Sequence, residues 1–117
     1  MRLESYQDTG PVYLSAISEG EILYGLAKRP EAHQVAYFMH ATLAGLLTLA
    51  WTSQAAIAYG ILRAANEAQG VSIGALDMLI AAHALAEDAI LVTGDGAFAR
   101  LHGGPKIENW ADDIRLN

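Results

Sequence analysis

The chain has no cysteine, which excludes disulfide bridges and thiolate metal sites. Basic residues are few: 7 Lys and Arg stand against 13 Asp and Glu, for a formal net charge of −6. Affinity for phosphate backbones comes mostly from Lys and Arg, so this composition advertises no broad nucleic-acid surface. It does not exclude a nuclease, because a metal site is built of carboxylates and a bound divalent cation offsets them. The start, Met1-Arg2-Leu3-Glu4-Ser5, lacks an apolar run behind a basic cluster. No signal peptide is read there, and a cytoplasmic location is expected.

What is present is apolar material: 53% of the 117 residues are hydrophobic and 17% are charged. Such a chain can bury a core, and its length fits one domain. Disorder needs the opposite balance. Ala32 to Leu62 carries no Lys, Arg, Asp or Glu. Polar residues such as His33, His40, Thr48 and Gln54 interrupt it, and its unbroken apolar segments are too short to span a bilayer. Two buried helices are expected there, separated at Thr52-Ser53.

Along the chain, Gly10-Pro11 marks a turn. Val12 to Ile17 reads as a buried strand. A helix is expected from Ser18 to about Ala27, a second from Glu31 to Leu46, and a short strand within Leu47 to Trp51. Ser53 to Gln69 reads as a helix stopped by Gly70. Ser72 to Ala86 reads as another helix and Ala89 to Thr93 as a strand. A short helix from Ala97 to Leu101, a turn at Gly103-Gly104-Pro105 and a last strand from Lys106 to Trp110 complete the series. Strands separated by helices imply crossover connections and a parallel sheet with helices on its faces, an α/β fold. Ligands in such folds sit beyond the carboxyl ends of the strands. Attention therefore falls on Ser18 to Glu21 and Gly94 to Gly96.

Three acids stand out, each with a structural alternative. Asp77 has Ile73, Gly74, Ile80 and Ala81 as its helical neighbours, and a carboxylate on so apolar a face needs a partner or a cation. The alternative is a first-turn acid favoured by the helix dipole. Asp95 follows a strand and precedes a helix, where Asp also serves as an N-cap. Glu21 completes Ser18-x-x-Glu21, the pattern of a capping box. Glu19 reads as a solvated first-turn acid. Together Glu21, Asp77 and Asp95 could converge at one end of a parallel sheet and hold Mg²⁺ or Mn²⁺, the set-up for phosphodiester cleavage. His33, His40, His83 and His102 show no three- or four-residue metal spacing and read as surface or half-buried. Arg63 and Arg100 could contact phosphate but read as solvated. Gly94-Asp95-Gly96 is too short for a phosphate-binding loop.

Four segments resemble the VapC toxins, a branch of the PIN-domain ribonucleases. Val12 to Gly25 is similar to the family's second strand and acidic helix. Gly70 to Ala84 is similar to its most recognisable motif, Leu91 to Phe98 to its last acidic motif, and Ile107-Glu108-Asn109-Trp110 to its closing strand. The resemblance runs from about Pro11 to Trp110. It implies a three-layer PIN-like fold and a metal-dependent endoribonuclease. Glu21, Asp77 and Asp95 would be catalytic and ligate Mg²⁺ or Mn²⁺. A VapB-like antitoxin, a homodimer and an RNA substrate would be the partners, with no membrane.

The front of the chain departs from the pattern. The family opens with an apolar strand ending in Asp-Thr-Asn, on the central strand of the sheet. Asp8-Thr9-Gly10 has the letters without the strand, since Glu4-Ser5-Tyr6-Gln7 precede it. The expectation is a single domain over 1–117 that starts late, without the central strand and its aspartate. Two functions then compete: a metal-dependent ribonuclease toxin, and an inactive PIN remnant that binds or dimerises. A small acidic membrane-associated protein is a weaker third.

Overall fold

The structure is a computed structural model, and it describes residues 13–93 and 96–108. Strand β1 (Tyr13–Ser15) runs directly into helix α1 (Ala16–Ala27). Helix α2 (His33–Ala44) follows, then β2 (Leu47–Leu49), α3 (Ser53–Ala68) and α4 (Ala75–Ala86). Strand β3 (Leu91–Val92), a 3-10 helix (Gly96–Arg100) and β4 (Ile107–Glu108) complete the described chain. β1 pairs in parallel with β2, placing Leu14 opposite Thr48. β3 pairs in parallel with β4, placing Leu91 opposite Ile107. The fold is α/β, with four helices and short parallel strands. The described residues form these two parallel pairs rather than one continuous sheet.

The main divergence from the sequence reading lies at the start of α1. Ser18 was expected to cap the helix with Glu21 reaching back to it. Instead Ser15 is the N-cap, and its Oγ accepts from the Ile17 N–H at 3.1 Å. The capping box is therefore not formed, and Glu21 lies in the second turn. The expected strand loses Ala16 and Ile17 to the helix. α2 is shorter than expected, with Ala32 as its N-cap and Gly45 as its C-cap, while β2 begins at Leu47 as expected. α4 begins at Ala75 rather than Ser72, after an N-cap at Gly74. The break at Thr52 does form, with Thr52 Oγ1 accepting from the Ala55 N–H at 3.3 Å.

Helices α3 and α4 each end in a Schellman turn. After α3, Val71 N–H donates to Asn66 C=O at 2.8 Å and Gly70 N–H to Glu67 C=O at 3.0 Å. Gly70 takes the left-handed conformation this requires, at φ 76°. After α4, Ala89 N–H donates to Ala84 C=O at 2.9 Å. The left-handed residue there is Asp88, at φ 53°. Asp reaches this region more readily than most residues but still bears a Cβ penalty.

The core forms where α3 and α4 pack, the most extensive contact between elements. Ala55, Ala81 and Ala82 are fully buried and let the two backbones approach. Leu62, Met78 and Phe98 fill the space around them, with Trp51, Ile73 and Leu91 packed at the edge. Asn66 is also fully buried, and its groups are used. Its Nδ2 donates to Leu62 C=O at 2.8 Å and to His102 C=O at 3.0 Å, while Oδ1 accepts from His102 N–H at 2.8 Å. This side chain stands in for a backbone partner and holds the 101–104 turn on α3.

Two stability changes follow. Asn66→Ala strands the His102 N–H and C=O and should lower unfolding free energy by about 2–3 kcal/mol in urea titration. Asp88→Gly removes the Cβ penalty in the left-handed turn and should raise it by up to about 1 kcal/mol.

Candidate functional site

Ser15 is both the last residue of β1 and the cap of α1, so the helix springs straight from the strand end. Glu21 lies on its exposed surface and makes no hydrogen bond among the described residues. Glu19 is a first-turn acid as expected, but it is half-buried and not fully solvated.

Asp77 occupies the first turn of α4. It is half-buried, beside the buried Met78, and makes no hydrogen bond among the described residues. Its Oδ2 reaches back over Gly74, 3.6 Å from where a Cβ on that residue would stand. The helix dipole favours an anion at this end. The carboxylate oxygens nonetheless keep their acceptor capacity.

α1 and α4 pack against one another, so the elements carrying Glu21 and Asp77 are neighbours. Asp95 lies outside the described residues. Among the described residues no three His, Asp or Glu side chains gather within reach of one cation. His33, His40 and His102 are exposed, consistent with their reading as surface residues.

His83 is the residue that sequence reasoning missed. It is 2% exposed, where a surface or half-buried position was expected. Its Nδ1 lies 2.8 Å from Ser15 Oγ, and its ring meets Trp51 edge-on with centroids 5.5 Å apart. Its Nε2 is buried and has no hydrogen-bond partner among the described residues. The available signal was its place in Ala81-Ala82-His83-Ala84, a His inside an apolar helical run.

The two arginines considered as phosphate contacts are engaged elsewhere. Arg63 donates from Nε to Glu67 at 2.8 Å and from Nη1 to Tyr59 Oη at 2.6 Å. Those hydrogen bonds, to Glu67 first and Tyr59 second, hold its guanidinium above its ordinary pKa. Arg100 donates from Nη2 to Ser72 C=O at 3.0 Å. No helix of the described residues is long and apolar enough to cross a membrane.

Comparison with known proteins bears on what this geometry serves. Residues 2–104 match the PIN domain family. The chain is 32% identical over 108 residues to Ribonuclease VapC2 of Rickettsia felis, covering 92% of this chain and 81% of that protein. It is 30% identical over 104 residues to the tRNA(fMet)-specific endonuclease VapC of Salmonella typhimurium, covering 88% and 78%. Among solved structures it resembles VapBC2 of Rickettsia felis bound to a DNA fragment from its promoter. That match has a TM-score of 0.83 at 33% identity, over 92% of this chain and 80% of that one. It also resembles the DNA-bound VapBC of Salmonella typhimurium, with a TM-score of 0.76 at 31% identity, over 82% and 73%. The family match spans most of the chain and agrees with the α/β architecture, and the chain therefore belongs to the PIN-domain family as a VapC-like member.

Proposed function

We propose that this protein is a metal-dependent ribonuclease toxin of the VapC type, with Glu21, Asp77 and Asp95 as its acidic ligands. The observation that carries the reading is Asp77. A half-buried carboxylate in an apolar helix normally finds a donor, because burying it unpaired is costly. Asp77 has none among the described residues, and its Oδ2 lies over Gly74, which carries no side chain. An all-oxygen donor set fits a hard cation such as Mg²⁺ or Mn²⁺, as does the absence of cysteine. When bound, such a cation activates water and offsets charge on the transferring phosphoryl group. The chain's own part is to hold the carboxylates: Asp77 at the start of a buried helix and Glu21 on the helix packed beside it. Asp95 joins them as the acid that follows β3 in sequence.

The substrate class is RNA, supported by relatives named as a ribonuclease and a tRNA(fMet)-specific endonuclease. The proposed site of action is the cytoplasm, which an RNA substrate suits. A VapB-like antitoxin is the proposed regulator, supported by structural neighbours that are VapBC complexes. The chain alone leaves apolar surface for such contacts. Tyr24, Val35, Tyr37 and Phe38 on α1 and α2 are all exposed, Tyr37 by 80%. Ile57 and Ile61 on α3 are exposed as well and suit a homodimer.

That same exposed apolar surface favours a second reading, a non-catalytic PIN scaffold kept for its protein contacts. Calorimetric titration of Mn²⁺ into the wild-type chain and into Asp77→Asn separates the two. Under the enzyme reading the wild type binds at micromolar strength, Asp77→Asn shows no measurable binding, and RNA cleavage is lost with it. Equal binding by both chains removes Asp77 from the site. No binding by either leaves the scaffold reading.

A further inference from the structure

We infer that Ser15 and His83 form a positioning link that fixes α1 on α4 and thereby sets the spacing of Glu21 and Asp77. The inference rests on the carboxylate site proposed above. Ser15 Oγ already accepts the Ile17 N–H as the α1 cap, and it lies 2.8 Å from His83 Nδ1. One proton arrangement uses these atoms best. If the Ser15 hydroxyl donates to Nδ1, its lone pair still takes the Ile17 N–H, and only the Nε2 proton lacks a partner among the described residues. If Nδ1–H donates instead, both the Ser15 hydroxyl proton and the Nε2 lone pair are left over. The first arrangement assigns the ring proton to Nε2 and makes Ser15 a two-way link.

The link joins residues 68 positions apart in the chain. Trp51, just past β2, braces the ring edge-on, so three segments meet at one imidazole. Each proposed ligand is six residues from the link, Glu21 after Ser15 and Asp77 before His83, or about 9 Å of helix. A shift at this contact therefore reaches both carboxylates. A purely structural role fits poorly, because a His with a buried, unpartnered nitrogen costs stability that an apolar side chain of similar size would not. Stability and metal binding should then respond in opposite directions to His83→Leu.

The test compares wild type with Ser15→Ala, His83→Leu, the double variant and Ser15→Thr, which keeps the hydroxyl. Nitrogen-15 shifts of the His83 ring, amide exchange across α1 and Mn²⁺ affinity are measured on each. The ring shifts should place the proton on Nε2, and Ser15→Ala should move the Nδ1 resonance and speed exchange in the first turn of α1. Ser15→Ala and His83→Leu should each weaken Mn²⁺ binding roughly tenfold, as loss of supporting hydrogen bonds around metal sites does. The double variant should be no weaker than the worse single, and Ser15→Thr should bind as wild type does. His83→Leu should stay folded and at least as stable. If it does not fold, Ser15→Ala and Ser15→Thr carry the comparison. The inference is overturned if folded Ser15→Ala and His83→Leu bind Mn²⁺ as wild type does, or if their two losses multiply in the double variant. If wild type itself binds no Mn²⁺, the carboxylate reading fails instead. Ring shifts and α1 exchange then decide the link alone: an unmoved Nδ1 resonance in Ser15→Ala overturns it, and a shifted one with faster exchange supports it.

Discussion

The packing of α4 is the constraint on which the remaining structure depends. Its Ala81 and Ala82 are fully buried and allow α3 close, and its Met78 fills the core beside Leu62 and Phe98. Burying each of these larger side chains contributes about 1.5–3 kcal/mol. The same helix touches β1. Leu91 of β3 packs against the cluster that α4 supplies. Two strand pairs that share no ladder are thus both referred to one helix. Asp77 in its first turn and His83 two turns on inherit positions that this packing has already set. A catalytic reading of Asp77 is economical for that reason, since no loop has to order before the carboxylate is in place.

Buried polar groups show how the chain treats positions of different purpose. Asn66 is fully enclosed and joins a distant turn to α3 through three hydrogen bonds. Its role is complete within the fold. His83 is equally enclosed but keeps one nitrogen without a partner among the described residues, and its Nδ1 reaches the cap of the helix that carries Glu21. Asp77 is half-buried and accepts nothing among the described residues. Stability alone would select against the second and third of these. Their placement on, or one contact from, the helices with the proposed ligands is what a metal site there would account for. The formal charge of −6 fits the same picture, because a divalent cation would offset carboxylates that otherwise repel an RNA backbone.

Much of this was legible in the sequence. The order of strands and helices follows from apolar runs broken at Thr52, Gly70 and Gly103. Parallel pairing follows from the helices between the strands. The apolar surroundings of Asp77 were visible in its helical neighbours. The start of α1 was not, because two serines three residues apart are both good caps. Ser15 caps the helix in the structure and also meets His83, 68 residues away, a contact that local pattern cannot reveal. The burial of His83 and Asn66 was hidden for a related reason. Each lies on an apolar stripe, but only the partner turn or strand decides that a polar group is satisfied there. The expected place of Asp95 after β3 falls outside the described residues, so its part in the site stands on sequence order.

The central claim is that the first turn of α4 and the second turn of α1 face one cation. The most direct measurement is a titration of Mn²⁺ into isotope-labelled chain, followed by paramagnetic broadening of the backbone amides. The account predicts that broadening begins around Asp77 and Glu21 and stays weak along α2 and the far end of α3. Broadening spread evenly over the acidic surface, or centred away from both residues, would contradict it.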